Sequence, residues 1–288
     1  MKLKYIVDKE VQVKEYLEYI GLSHHLRKQV RRLDNIKVNG NKEKNYYNLK
    51  IGDVLELDFE EELNDEYQAN FDDLEKLNIL YEDEYLIVVS KDNNISSQPS
   101  RRHLKDNLLS ILKAYFIKNN INSNIHLVNR LDYATSGIVM VAKSNICAFE
   151  LTKYDIVKKY LAKVSNKFES SSGLIDLNIK REEAPSIKRY VSNDGQVAKT
   201  KYQVIEENDD YTLVELELLT GRCHQIRVHL SYLGHPIIGD VLYDGIKSDR
   251  LYLHAYYLKF YHPFLKQEIE IFDYQIGEKT CKIIKRLL

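Results

Sequence analysis

The chain has 288 residues, 44% of them hydrophobic and 30% charged, with a formal net charge of -1. That make-up belongs to a globular protein with a sizeable core and excludes disordered and fibrous classes. Cys147, Cys223 and Cys281 are too scattered for a disulfide framework or a CxxC pair, which fits a reducing compartment. The N-terminus carries charges throughout and no later run is long enough to span a bilayer, so a cytoplasmic protein with no membrane partner is expected.

The small net charge conceals a separation along the chain. Residues 1–50 hold twelve Lys or Arg against six Asp or Glu, whereas residues 53–84 hold fourteen acidic residues against Lys76 alone. A basic head with an acidic neck is the pattern of a localised nucleic-acid footprint, although two solvated faces of different charge would give the same counts. In the head, Ser23 is the expected N-cap of a short helix, with Leu26, Val30 and Leu33 recurring at helical spacing. Arg27 stacks with Arg31, and Lys28 with Arg32, on the opposite side. Ile36 and Val38, the Asn39-Gly40 turn, and Leu55, Leu57 and Phe59 then predict a hairpin. Such a cationic helix on a small sheet suits sequence-independent contact with phosphates; a merely structural N-terminal domain is the alternative. The segments "LRKQVRRLDNIKVNGNK" and "LKIGDVLELDF" resemble the small RNA-binding module first recognised in a ribosomal protein of the small subunit.

The expected division is a basic RNA-binding domain over 1–60, an acidic linker over 61–75 and a second domain over 76–288. The linker reading rests on high charge and the lack of any apolar period. In the second domain, "ILYEDEYLIVVSKD" reads as a hairpin and "IVMVA", residues 138–142, as a buried strand. A helix is expected from Ser144 through "NICAFELTKYDIVKKY", followed by the strand "YLAKV". The segment "KTKYQVIEENDDYTLVELELL" reads as two strands. "TGRCHQIRVHLSYLG" predicts a helix opened near Thr220 and stopped by Gly234. Hairpins mixed with helices favour an α+β class, with a mixed, mostly antiparallel sheet flanked by helices and loops.

One apolar segment, "HLVNRLDYATSGIVMVAKS", breaks open around Asp132. Alone, an Asp in such a loop is as well explained by a turn cap or a structural ion pair. The chemistries with strong signatures are missing theirs. Position 134 is Ala, without the second Asp of an aspartyl-phosphate enzyme. His224 and His229 lie five apart, about 140° around a helix, and do not form a zinc pair. Ser136 lacks the first Gly of a GxSxG elbow, and neither a Walker loop nor GxGxxG is present.

"NRLDYATSG", "KKYLAKV", "LLTGRCHQIRVHL", "GHPIIGDVLY" and "LYLHAYYL" resemble, in order, the successive motifs of the RluA/RluD-type RNA pseudouridine synthases, over nearly all of residues 76–288. The resemblance implies that Asp132 is the catalytic carboxylate, attacking a target uridine so that the base detaches, turns and rejoins through C5. It also implies that Arg227 pairs with Asp132, and that Tyr160 stacks on the flipped uracil and is a candidate for proton transfer from C5. Arg130 becomes a candidate for phosphate contact or for filling the space left by the extruded base, and Arg222 a second phosphate contact. Arg27, Lys28, Arg31 and Arg32 are the expected RNA contacts of the head. An isomerisation needs no metal or other cofactor, and none is expected. The partner is RNA, ribosomal or transfer, acted on by a monomer.

Thr135, Ser136, Gly137 and the histidines 224, 229 and 254 read as scaffold. The sequence departs from the family at Asn129, often His in relatives, and at "NNISSQPS", where relatives have a KPAG-like turn. An RNA chaperone, or a nucleotide or glycoside hydrolase using Asp132, remain as alternatives at this point.

Overall fold

The computed structural model describes residues 2–59, 63, 67–101 and 103–274; Cys281 lies outside them. The first part of the chain runs β1 (Lys2–Ile6), α1 (Val13–Tyr19), α2 (His24–Arg32), β2 (Ile36–Val38), β3 (Asn41–Lys42) and β4 (Val54–Asp58). The strands form an antiparallel sheet in the order β1-β4-β2-β3. Alternation along β4 turns Leu55 and Leu57 inward, where they meet Leu17, Leu26 and Val30 from the helices. Ser23 caps α2 as expected, its side chain accepting from the Leu26 N–H at 3.3 Å. The expected hairpin is closed on its far edge by β1, which the apolar pattern did not signal.

The second part holds β5 (Asn78–Glu82), β6 (Leu86–Lys91), α3 (Leu108–Lys118), β7 (His126–Leu127), β8 (Ser136–Ala142), α4 (Asn145–Leu151) and β9 (Ile156–Val164). It continues through β10 (Ser172–Asp176), β11 (Ile179–Arg181), β12 (Arg189–Val191), β13 (Lys199–Glu207), β14 (Thr212–Leu218), α5 (Gln225–Tyr232), β15 (Leu253–His262) and β16 (Gln267–Phe272). The large sheet has the order β10-β13-β14-β9-β15-β8-β6-β5, with β16 added to β15 and β7 to β8. Among the described strands, β15 with β8 is the parallel pairing and the others are antiparallel. This is the mixed, mostly antiparallel α+β sheet that the hairpins and helices predicted.

β6 and β8 are buried along their whole length because both sheet faces are covered. Ile87, Val89, Val139 and Val141 pack with Leu109, Leu112 and Phe116 of α3. The alternate residues Leu86, Val88, Ile138 and Met140 pack on the other side with Cys147 and Leu151 of α4 and Phe260 of β15. Gly137 lets β8 approach β15: with φ of +114°, a Cβ there would lie 2.2 Å from the Ala255 carbonyl oxygen.

α4 joins the two parts. Its Ile146 completes the core of the small sheet, the Tyr5 hydroxyl donates to Glu150 at 2.9 Å, and the Asn145 amide donates to Gln29 at 3.2 Å. The stretch expected as an acidic linker is held against the large sheet from Tyr67 onward. Tyr67 packs on that core, and the Asn70 N–H donates to the Ser110 carbonyl at 2.9 Å.

Two expected helices are corrected. The helix after Ser144 ends at Leu151, and Ile156, Val157 and their neighbours extend β9 instead, paired with β15. β-branched residues with a partner strand in β15 outweigh the helical spacing. The second helix starts at Gln225 and not near Thr220, with His224 as its left-handed N-cap at φ 58°. Residues 220–224 form a loop that the Gln225 side chain folds back on, accepting from the Thr220 hydroxyl at 2.8 Å and the Arg222 N–H at 2.9 Å.

Candidate active site

β8, β9 and α5 converge on a cleft of about 480 Å³ whose lining includes Arg130, Asp132, Tyr160, Arg222, His224 and Arg227. Asp132 sits in the loop that leads into β8, and its carbonyl closes a turn by accepting from the Thr135 N–H at 3.1 Å. Two groups fix this loop from behind. The Ser97 hydroxyl donates to the Leu131 carbonyl at 2.8 Å and accepts from the Leu131 N–H at 3.1 Å. Lys91, 1% exposed, donates to the carbonyls of Asp92 and Ile95 at 2.8 Å each and to that of Tyr133 at 3.4 Å. Burial pulls its ammonium down to about 7, against the opposing pull of Asp132 and Asp92. Lys91→Met is expected to leave those carbonyls dry and to lower stability by about 2–3 kcal/mol, measured as the shift in the urea unfolding midpoint. An unchanged midpoint would show that the loop is held by other contacts.

Arg227 has two carboxylates to serve. Its Nε and Nη2 each lie 2.7 Å from Asp240, a bidentate pair at a nearly buried carboxylate. Its Nη1 reaches Asp132 at 3.6 Å. Burial works against the guanidinium charge, but the hydrogen bond and charge of Asp240, with the charge of Asp132, outweigh it and raise the pKa. The expected pairing with Asp132 is therefore present as the longer contact, while Asp240 holds the arginine in place.

Tyr160 lies in the middle of β9, 6% exposed. Burial, with the Asp132 charge adding to it, pushes its phenol well above the ordinary range. The neutral ring is the resident form. Two residues earlier on the same strand face, Lys158 also lines the cleft. His224 presents Nε2 to Asp132 at 3.8 Å, while its Nδ1 is 2.7 Å from the Tyr243 hydroxyl. Burial lowers its pKa, with Asp132 opposing and Arg227 and Arg189 adding to the fall.

The RNA pseudouridylate synthase family model matches residues 85–232. The chain belongs to this family. It is 39% identical over 281 residues to the uncharacterized RNA pseudouridine synthase YjbO of Bacillus subtilis (strain 168), covering 95% of this chain and 98% of that relative. The ribosomal large subunit pseudouridine synthase D of Vibrio cholerae serotype O1 is 34% identical over 239 residues, covering 76% of this chain and 72% of the relative. The solved structure of human RNA pseudouridylate synthase domain containing 1 superposes with a TM-score of 0.59 at 25% identity, covering 69% of this chain and 84% of that one. This protein is an RNA pseudouridine synthase, an isomerase acting on RNA.

In this synthase the residues expected from the sequence fall into two groups. Asp132, Tyr160, Arg227, Arg130 and Arg222 meet at one cleft. Arg222 is partly committed, its Nε donating to the Val197 carbonyl at 3.0 Å. Arg27, Lys28, Arg31 and Arg32 stand on α2, away from the cleft. Arg27 does not present a cation to solvent as expected, because it is tied to Glu18 and largely covered. His229 and His254, expected as scaffold, are buried and are not among the residues lining the cleft. Nδ1 of His229 meets Thr200 at 3.0 Å and its Nε2 meets the Leu177 carbonyl at 2.9 Å. Nδ1 of His254 meets Ser136 at 2.8 Å.

Asn129 spends its amide on β8, donating to the Ile138 carbonyl and accepting from the Met140 N–H. The sequence reading missed Asp240, Lys91, Ser97 and the cleft-facing position of His224. A lone acid inside "GHPIIGDVLY" and a lysine ending an apolar strand were the available signals for the first two.

Proposed function

We propose that this synthase isomerises uridines of large-subunit ribosomal RNA, with Asp132 as the attacking carboxylate. The placing of Asp132 at one cleft with Tyr160 and Arg227 carries this reading. A stacked nucleotide must leave its stack to reach such a cleft, which single-stranded loops allow at least cost. An ionised carboxylate is a competent nucleophile and a good leaving group, suited to attack at the ribose C1′ or the base C6. The neutral Tyr160 ring favours stacking on the uracil over proton abstraction, which would require the phenolate. Arg130 and Arg222 would meet phosphates beside the flipped nucleotide. The name of the Vibrio cholerae relative supports ribosomal RNA as the substrate.

The test is incubation of the protein with ribosomal RNA and, separately, transfer RNA carrying tritium at uridine C5. Tritium release with pseudouridine and without free uracil from ribosomal RNA is expected. Free base would indicate a hydrolase, and release from transfer RNA alone would move the substrate.

The working division is an RNA-binding unit over 1–60, a short connection over 61–75 and the catalytic unit over 76–288, acting as a monomer in the cytoplasm. No helix among the described residues is long and apolar enough to cross a membrane. α4 seats the first unit at the end of β8 opposite Asp132, so α2 would grip RNA on the order of 20 Å, one seven-residue strand, from the target uridine. Replacing Lys28, Arg31 and Arg32 together by Ala should flatten the slope of log K against log salt by about 2–3. A slope equal to the parent's would remove α2 from the RNA contact.

A further inference from the structure

We propose that Asp132, Cys223 and His224 form a binding site for a thiophilic divalent cation of the zinc class, and that its occupancy closes the cleft to uridine. Donor atoms of the three residues lie within 4.8 Å of one another. A carboxylate, a thiolate and an imidazole are the ligand types zinc prefers, and three protein ligands with one open position is a recognised zinc arrangement. Donors around tetrahedral zinc stand roughly 3.5 Å apart. The remaining closure is a matter of side-chain rotation, for which the exposed Cys223 has room.

Arg189, Arg130 and Arg227 stand near Cys223 and oppose a cation, but Arg227 is paired bidentately with Asp240, and Asp132 with a Cys223 thiolate would bring two negative charges to the ion. His224 is held as metal-binding histidines are, with a partner on its other ring nitrogen. Its Nδ1 meets the Tyr243 hydroxyl, which itself accepts from the Arg189 N–H at 2.9 Å. That leaves Nε2 aimed at Asp132. Binding forms an S–metal bond and breaks the Cys223 S–H bond, and the proton goes to solvent. The blockade rests on Asp132 being the catalytic carboxylate; the binding does not.

The experiment is titration of the chelator-treated full-length protein with cobalt(II), followed by the thiolate-to-cobalt absorption band. A saturable band is expected, lost in Cys223→Ser, weakened about tenfold or more in His224→Ala, and displaced by zinc. Zinc should likewise stop tritium release, and a chelator should restore it. No band, or an equal band in Cys223→Ser, would overturn the site. Activity untouched by zinc at saturating occupancy would overturn the blockade. A protein that binds cobalt through Cys223 but makes no pseudouridine would count against the synthase mechanism and leave the cation site standing.

Discussion

Asp132→Asn is expected to slow tritium release from C5-labelled RNA by about 10⁴-fold or more, the upper end of what one positioned side chain contributes and about 5.5 kcal/mol in barrier height. The substitution keeps the side-chain volume and removes the charge and the proposed nucleophile. The contacts of the carboxylate itself are the longer ones to Arg227 and His224. The turn at this loop uses the Asp132 backbone carbonyl, the loop is fixed through Leu131 by Ser97 and through Tyr133 by Lys91, and Arg227 keeps Asp240. Urea unfolding should therefore match the parent within about 0.5 kcal/mol, as for a surface substitution. RNA affinity should be preserved, because the cations proposed to meet phosphates are untouched. A variant with a tenth of the parental rate would take Asp132 out of the chemistry.

Features carried by local pattern were legible in the sequence, and those made by distant contacts were not. The cap at Ser23, the β4 alternation and the buried run 138–142 depend on neighbours a few residues away, and each is present. The expected helix through Tyr160 failed because β9 gains partners on both sides, β14 and β15, that no window of sequence contains. That Asp132, Tyr160 and Arg227 meet at one cleft was legible through the ordered motifs, but what holds them was not. Ser97 is 34 residues from Leu131, and Lys91 is 42 from Tyr133. Asp240 shows the same limit at shorter range. It is 13 residues from Arg227, and the sequence offered Asp132 as a more obvious partner for the same guanidinium.

Asp240→Ala is expected to lower stability by about 3–5 kcal/mol, because it strands a buried guanidinium whose charge the carboxylate had answered. Activity should fall as well, for a reason separate from folding. Once released from Asp240, Arg227 has Asp132 as its remaining nearby carboxylate, 3.6 Å away. Closing that distance would hold the proposed nucleophile in an ion pair and turn it from the substrate. The double variant Arg227→Met with Asp240→Leu separates the two effects. It replaces a buried ion pair by apolar side chains of similar volume, a change that is often neutral or stabilising. Most of the lost stability should return in urea unfolding, while tritium release stays low for a different reason, the loss of the Arg227 charge 3.6 Å from Asp132. Recovery of activity along with stability would mean that the reaction does not need the Arg227 charge and that the single variant was slow because Arg227 held Asp132. Failure to recover stability would mean that the charge of Asp240 answers groups other than Arg227.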